Sequence, residues 1–119
     1  MLQESLYRRL VRKFGAANVG TELETGAGTN IDLVVRRPNG YRFYEIKTAQ
    51  SPRACIREAL GQLLEYSLWP GAQEARRLII VGESALDLDG TKYLRRLNKK
   101  VSIPIFYEQI QLKKVKQPR

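Results

Sequence analysis

Asp32, Glu45, Lys47 and Gln62 are the side chains whose types and spacing could do chemistry together, with Tyr66 one helical turn beyond the last. Two carboxylates are hard oxygen donors, suited to Mg²⁺ or Mn²⁺ rather than zinc. Mg²⁺ keeps several waters, so one or two carboxylates suffice, with substrate phosphate completing the shell. Lys47 follows Glu45 by two positions and shares its strand face, where it can orient a water or stabilise negative charge developing on a phosphoryl group. Read alone, Glu-x-Lys is an ordinary pair on a solvated strand. Asp32 is different, because it sits inside the apolar run 31–35, where a carboxylate is costly unless paired, solvated or metal-bound.

The elements that must position these groups follow from local patterns. Segments 31–35 and 41–48 are β-branched, aromatic and alternating, and Arg36-Arg37-Pro38-Asn39-Gly40 separates them. Asn-Gly is a strong hairpin signal because both residues tolerate positive φ, so an antiparallel hairpin is expected. Asp32 begins one strand and Glu45 ends the other, so both carboxylates and the ammonium should meet at one edge of the sheet. A helix should follow over 52–68, with Ser51 as its N-cap and Pro52 in its first position. Ile56, Ala59, Leu60, Leu63 and Leu64 form its apolar stripe, and Cys55 reads as a small core residue. Gln62 and Tyr66 share a face; taken alone they fit an exposed surface as well as a site. Arg53 and Arg57 share another face and are candidate phosphate contacts beside the site.

Asp32, then Glu45-Ile46-Lys47 at the end of the next strand, then Gln62-Leu63-Leu64-Glu65-Tyr66 on a helix, resembles the PD-(D/E)XK nuclease superfamily, the restriction-endonuclease-like and Holliday-junction-resolvase-like enzymes. The likeness spans roughly residues 4–107. It departs from the pattern in having Ile31, not proline, before the Asp. It implies an α/β fold with an α-β-β-β-α-β core, a mixed central sheet flanked by helices. It also implies that Asp32 and Glu45 bind Mg²⁺ or Mn²⁺, that the Ile46 backbone carbonyl is an extra ligand, and that Gln62 supports the site. Some similar members carry a metal-site Glu on the first helix, which would be Glu4 here. The plain reading of Glu4 is a solvated residue favourable to the helix dipole, and Glu22 and Glu24 on the next strand are rivals.

The rest of the chain frames this unit. Leu2, Leu6, Leu10 and Phe14 recur every four positions, predicting a helix over 2–14 that Gly15 terminates. Arg8 and Arg12 on its circumference are further candidate nucleic-acid contacts. Residues 18–25 read as a strand, and the glycines of the loop 26–30 could let a backbone approach a phosphate, although no Gly-Lys-Ser/Thr follows to make a P-loop. The apolar run 77–82 reads as a buried strand, parallel to the Glu-x-Lys strand because a helix intervenes. A third helix is expected over 91–99, capped by Asp89, with Tyr93, Leu94 and Leu97 inward. A last strand over 103–107 should lie at an edge because of Pro104. The basic stretch from about 112 reads as a solvated tail or a clamp on a phosphate backbone.

Composition narrows the chemistry. The chain has 119 residues, enough for one domain with a modest core. It contains no histidine and one cysteine, which removes Ser–His and Cys–His catalysis, histidine metal sites, an intrachain disulfide and a structural zinc site within one chain. A single cysteine fits a reducing compartment, and a cytoplasmic location is expected. No apolar run approaches a membrane-spanning length, so no membrane partner is expected. The net charge of +9 favours a polyanion, DNA above all. The expectation is a metal-dependent endodeoxyribonuclease that reads structure or backbone rather than base sequence, and a homodimer is a candidate assembly. A nucleic-acid-binding module of the same fold without catalysis, an RNA-directed nuclease, and an interaction module with a merely solvated acidic cluster are the alternatives.

Overall fold

The computed structural model describes residues 2–26 and 28–112. The expected basic tail therefore falls, apart from Leu112, outside the described residues. The chain runs α1 (Leu2–Phe14), a 3₁₀ turn (Ala16–Asn18), β1 (Val19–Glu24), β2 (Asn30–Arg37), β3 (Gly40–Ile46), α2 (Pro52–Leu68), β4 (Arg77–Gly82), α3 (Leu88–Lys100) and β5 (Ile105–Gln109). This is an α/β fold with one five-stranded mixed sheet in the order β1-β2-β3-β4-β5. The first three strands pair antiparallel; β3, β4 and β5 run parallel to one another. Antiparallel neighbours need only a tight turn, whereas each parallel pair is joined through a helix, α2 or α3.

Side-chain alternation sorts the core into two layers. Leu33, Val35, Tyr44, Ile79 and Val81 meet Leu2, Leu6 and Leu10 of α1 on one face. Val34, Phe43, Leu78 and Ile80 meet Cys55, Ile56, Ala59 and Leu63 of α2, and Leu94 of α3, on the other. The fourfold spacing of leucines in α1 puts its apolar stripe on the sheet, and Gly15, at φ +89, ends the helix in a conformation glycine adopts without strain. Ser51 caps α2 by accepting the Ala54 N–H, with Pro52 in the first turn. Among the described residues no helix is long and apolar enough to cross a membrane.

Several local expectations change. The hairpin loop is Pro38-Asn39, since Arg37 already pairs with Gly40. Gly40 opens β3 at φ +132, where a Cβ would lie 2.6 Å from Arg76 Cγ. Helix α3 starts three residues earlier than predicted, and Asp87, not Asp89, caps it by accepting the Gly90 N–H at 2.7 Å. Tyr93 faces out at 47% exposure, because Leu94 and Leu97 take the inward positions of that helix. Strand β5 is displaced to Ile105–Gln109, so Pro104 precedes it rather than lying within it, although it is an edge strand as expected. Strand β1 is shorter than 18–25 and is interrupted by Glu22 at φ +48.

Candidate functional site

Asp32 and Glu45 come together where β2 and β3 part. Their ladder runs from Arg37–Gly40 to Leu33–Tyr44 and stops one residue short of the two carboxylates. There Asp32 Oδ2 accepts the Ile46 N–H at 2.9 Å. The Gln3 side chain donates to the Asp32 carbonyl at 3.3 Å, tying the start of α1 to the same point. The cluster thus lies at the ends of two interior strands, not at the lateral edge of the sheet.

Glu45 is 4% exposed, on the α2 face of the central strand with Phe43 before it and Lys47 after it. Lys47 Nζ lies 3.4 Å from Glu45 Oε2. Burial first, then the Asp32 carboxylate, push the Glu45 carboxyl from an ordinary 4.5 up to about 7, against the pull of Lys47. The Lys47 N–H donates to the Val81 carbonyl at 2.9 Å, so β4 fixes the backbone that carries the ammonium.

Helix α2 supplies the roof. Tyr66 is 5% exposed, and its hydroxyl is pushed up to about 12 by burial, then by the charges of Glu45 and Asp32. Tyr66 therefore belongs to the site, a role that the sequence reading did not assign to it; its position one turn after Gln62 was the available signal. Among the described residues Gln62 Oε1 is buried without a hydrogen-bond partner, and so is Glu45 Oε1.

Other candidates lie elsewhere. Glu4 is exposed and ion-paired with Arg8 one turn along α1, not with the carboxylate pair. Arg8 and Arg12 are exposed on α1, across the sheet from α2. Glu22 falls in register opposite Asp32, between the Thr21–Leu33 and Leu23–Ile31 pairs, but its left-handed backbone takes it out of the ladder. Glu24 is exposed. Among the described residues no three acidic, histidine or cysteine side chains converge as a metal-ligand group. Arg53 and Arg57 line a groove between α2 and α3 with Tyr93 and Asp87. Nine positions separate Arg53 from Gln62, about half a turn out of phase, so the arginines point away from the carboxylates. Cys55 is fully buried, and burial raises its thiol, as expected of a core residue.

No family model, curated protein or solved structure matches the chain. The fit to a metal therefore rests on the donors. Among the described residues Glu45 Oε1 and Gln62 Oε1 have no hydrogen-bond partner, and an orphaned buried oxygen costs roughly 1–3 kcal/mol. Asp32 adds a second carboxylate at the same point. Asp32 Oδ2 and Glu45 Oε2 are already engaged by the Ile46 N–H and Lys47, so the unpartnered Glu45 Oε1 is the oxygen that fits a hard cation, and the two-carboxylate count fits one that keeps water ligands.

Proposed function

We propose that the chain is a metal-dependent nuclease of the PD-(D/E)XK type that hydrolyses phosphodiester bonds in DNA. The observation that carries this reading is Glu45 Oε1: a buried carboxylate oxygen with no hydrogen-bond partner among the described residues, on the central strand, beside Asp32 and Lys47. A core that only needed stability would place an apolar side chain there. The element order, helix then three strands then helix then strand, also supports the restriction-endonuclease-like topology.

In this reading Asp32, Glu45 and the Ile46 carbonyl would hold Mg²⁺ or Mn²⁺, with Gln62 supporting them. When bound, such an ion polarises a phosphodiester and lowers the pKa of water beside it. Lys47 delivers a positive charge to the mouth of the site, where it steadies charge on the phosphoryl oxygens. Tyr66, kept as a neutral phenol, is a hydrogen-bond donor next to the two carboxylates. The +9 charge supplies affinity for the phosphate backbone that falls steeply with salt. Two copies acting together would cut both strands of a duplex.

The test is cleavage of supercoiled plasmid, linear duplex and a four-way junction in Mg²⁺, Mn²⁺ or EDTA, by the wild type and Asp32→Asn, with RNA as competitor. Metal-dependent cutting by the wild type alone supports the proposal. DNA binding without cutting in either metal would move the chain to a non-catalytic binding module, and preferential cutting of RNA would change the substrate.

A further inference from the structure

A cleft of about 400 Å³ opens between the residues that follow β1 and the C-terminal end of α2. Thr25, Gly26 and Thr29 form one wall, and Glu65, Tyr66 and Trp69 the other. Its size lies within the roughly 300–1,000 Å³ typical of small-ligand sites. Tyr66 belongs both to this cleft and to the electrostatic surroundings of Glu45 and Asp32, so the two spaces share a wall.

The chemistry of the walls selects the occupant. Among the described residues no Lys or Arg lines the cleft, and Glu65 contributes a carboxylate, so it is unsuited to phosphate. The hollow on α3 lined by Lys92, Arg95, Arg96, Lys99 and Lys100 shows the contrasting, phosphate-attracting composition. Trp69 is 57% exposed, an indole left at the surface where burial would be favourable. The backbone that carries it is held: the Trp69 main-chain N–H donates to the Glu65 carbonyl at 3.0 Å, the Trp69 carbonyl accepts the Ala72 main-chain N–H at 2.8 Å, and Pro70 follows. Gly26, at φ +86, has open space where a Cβ would be. An exposed indole carried on a hydrogen-bonded backbone, polar walls and a carboxylate able to accept from imino or amino groups suit a flat, neutral, hydrogen-bonding ring.

We propose that this cleft takes one unpaired base of DNA, stacked on Trp69, with the adjoining phosphate directed toward Asp32 and Glu45. A paired base cannot offer its face to a side chain, so the substrate has unpaired nucleotides beside the cut: a single strand, a flap or an opened junction. That this DNA is a substrate rests on the nuclease reading; the stacking does not.

Trp69 is the only tryptophan, so its fluorescence reports this cleft alone. The experiment titrates the full chain in EDTA with oligothymidylate of roughly 12 nucleotides, within the span of usual single-strand sites, and with a blunt duplex of the same length. The expected result is quenching by the single strand and little by the duplex. Binding of a labelled oligothymidylate should weaken about 10-fold or more in Trp69→Ala and be retained in Trp69→Phe, because stacking needs an aromatic face. Both variants should keep the wild-type melting temperature. Absence of quenching by the single strand, or wild-type affinity in Trp69→Ala, overturns the inference. EDTA separates this from the nuclease reading: wild-type oligothymidylate affinity in Trp69→Ala sinks the stacking alone, whatever is cut in Mg²⁺ or Mn²⁺, whereas quenching without cleavage in either ion sinks the nuclease alone.

Discussion

Asp32 Oδ2 stands 2.9 Å from the Ile46 backbone nitrogen, so a side chain takes up a strand N–H at the point where the β2–β3 ladder ends. The carboxylate has two separable duties. One oxygen holds the mouth of the hairpin, and the negative charge acts on whatever enters it.

Replacing Asp32 by two different residues should therefore divide those duties. Asp32→Asn keeps an acceptor for the Ile46 N–H and loses the charge; its stability should stay within about 0.5 kcal/mol of wild type while divalent-dependent cleavage disappears. Asp32→Ala loses both and should also cost about 1–2 kcal/mol, the penalty for an unpaired, partly buried N–H. Urea denaturation of both variants alongside plasmid cleavage checks this. Equal stability of the two would show that the hydrogen bond does not hold the hairpin mouth.

Glu45 makes the metal-free protein less stable as pH rises. Its folded pKa, about 7, lies above the ordinary 4.5, so between those values the folded state holds a proton the unfolded state has released. The penalty is absent below pH 4.5, grows through this window and is complete above 7. Its full size is on the order of 3 kcal/mol. Glu45→Gln removes the charge and should be more stable than wild type at pH 8 in EDTA, yet gain nothing from added Mg²⁺ or Mn²⁺. Denaturation at pH 5 and pH 8, with EDTA or either ion, measures both effects. A wild-type stability that does not fall over this range in EDTA would mean that Glu45 ionises without cost.

Lys47 pulls the Glu45 titration downward from 3.4 Å. In Lys47→Met the Glu45 midpoint should move higher, and cleavage should drop by roughly 100-fold or more, as expected when a charge aimed at the reacting phosphoryl group is lost. The Glu45 carboxyl resonance followed by NMR against pH gives the first quantity, and single-turnover cleavage the second. A lower midpoint in the variant would contradict the ion pair.

Gly82 marks a close approach between β4, α2 and β5. A Cβ there would fall 2.3 Å from Tyr107 Oη and 3.0 Å from Cys55 Sγ. Gly82→Ala should cost about 2 kcal/mol, the usual scale of overpacking. Tyr107→Phe alone should cost about 1 kcal/mol, because that hydroxyl donates to the Ser84 carbonyl at 2.7 Å. In the Gly82→Ala background the same change should be neutral or stabilising, since it removes the clashing atom. A double-mutant cycle in urea reads the coupling, and simple additivity would contradict the contact.

Helices α1 and α2 and strand β4 were legible in the sequence because a repeating apolar stripe, a Ser-Pro start and a continuous apolar run are local signals. The start of α3 was not. Leu88-Asp89-Gly90 reads as a loop, yet Gly90 is buried where a Cβ would lie 2.6 Å from Leu86, so packing overrides its poor helix propensity. Asn39-Gly40 was read as the turn itself because the demand on Gly40, contact with Arg76, comes from a distant segment. Pairing Asp32 with Glu45 and Lys47 followed from hairpin geometry. The depth of Glu45 and its unpartnered oxygen did not, since they exist only once α2 has docked. Glu4 was assigned by likeness, although its neighbour Arg8, four residues on, already offered a local partner.

The two-residue loop Pro38-Asn39 also bears on how the protein comes apart. Asp32 and Glu45 are joined by the shortest connection in the sheet, whereas the α2 roof over Glu45 belongs to a crossover that closes through β4. Local contacts tend to form before non-local ones, so Glu45 should still be wet in the folding transition state and become dry only afterwards. Its charge then raises the native state without raising the barrier top. Alkali in the absence of metal should quicken unfolding and leave refolding nearly unchanged. On this expectation the lifetime of the folded state, more than its rate of assembly, follows the ionisation of Glu45.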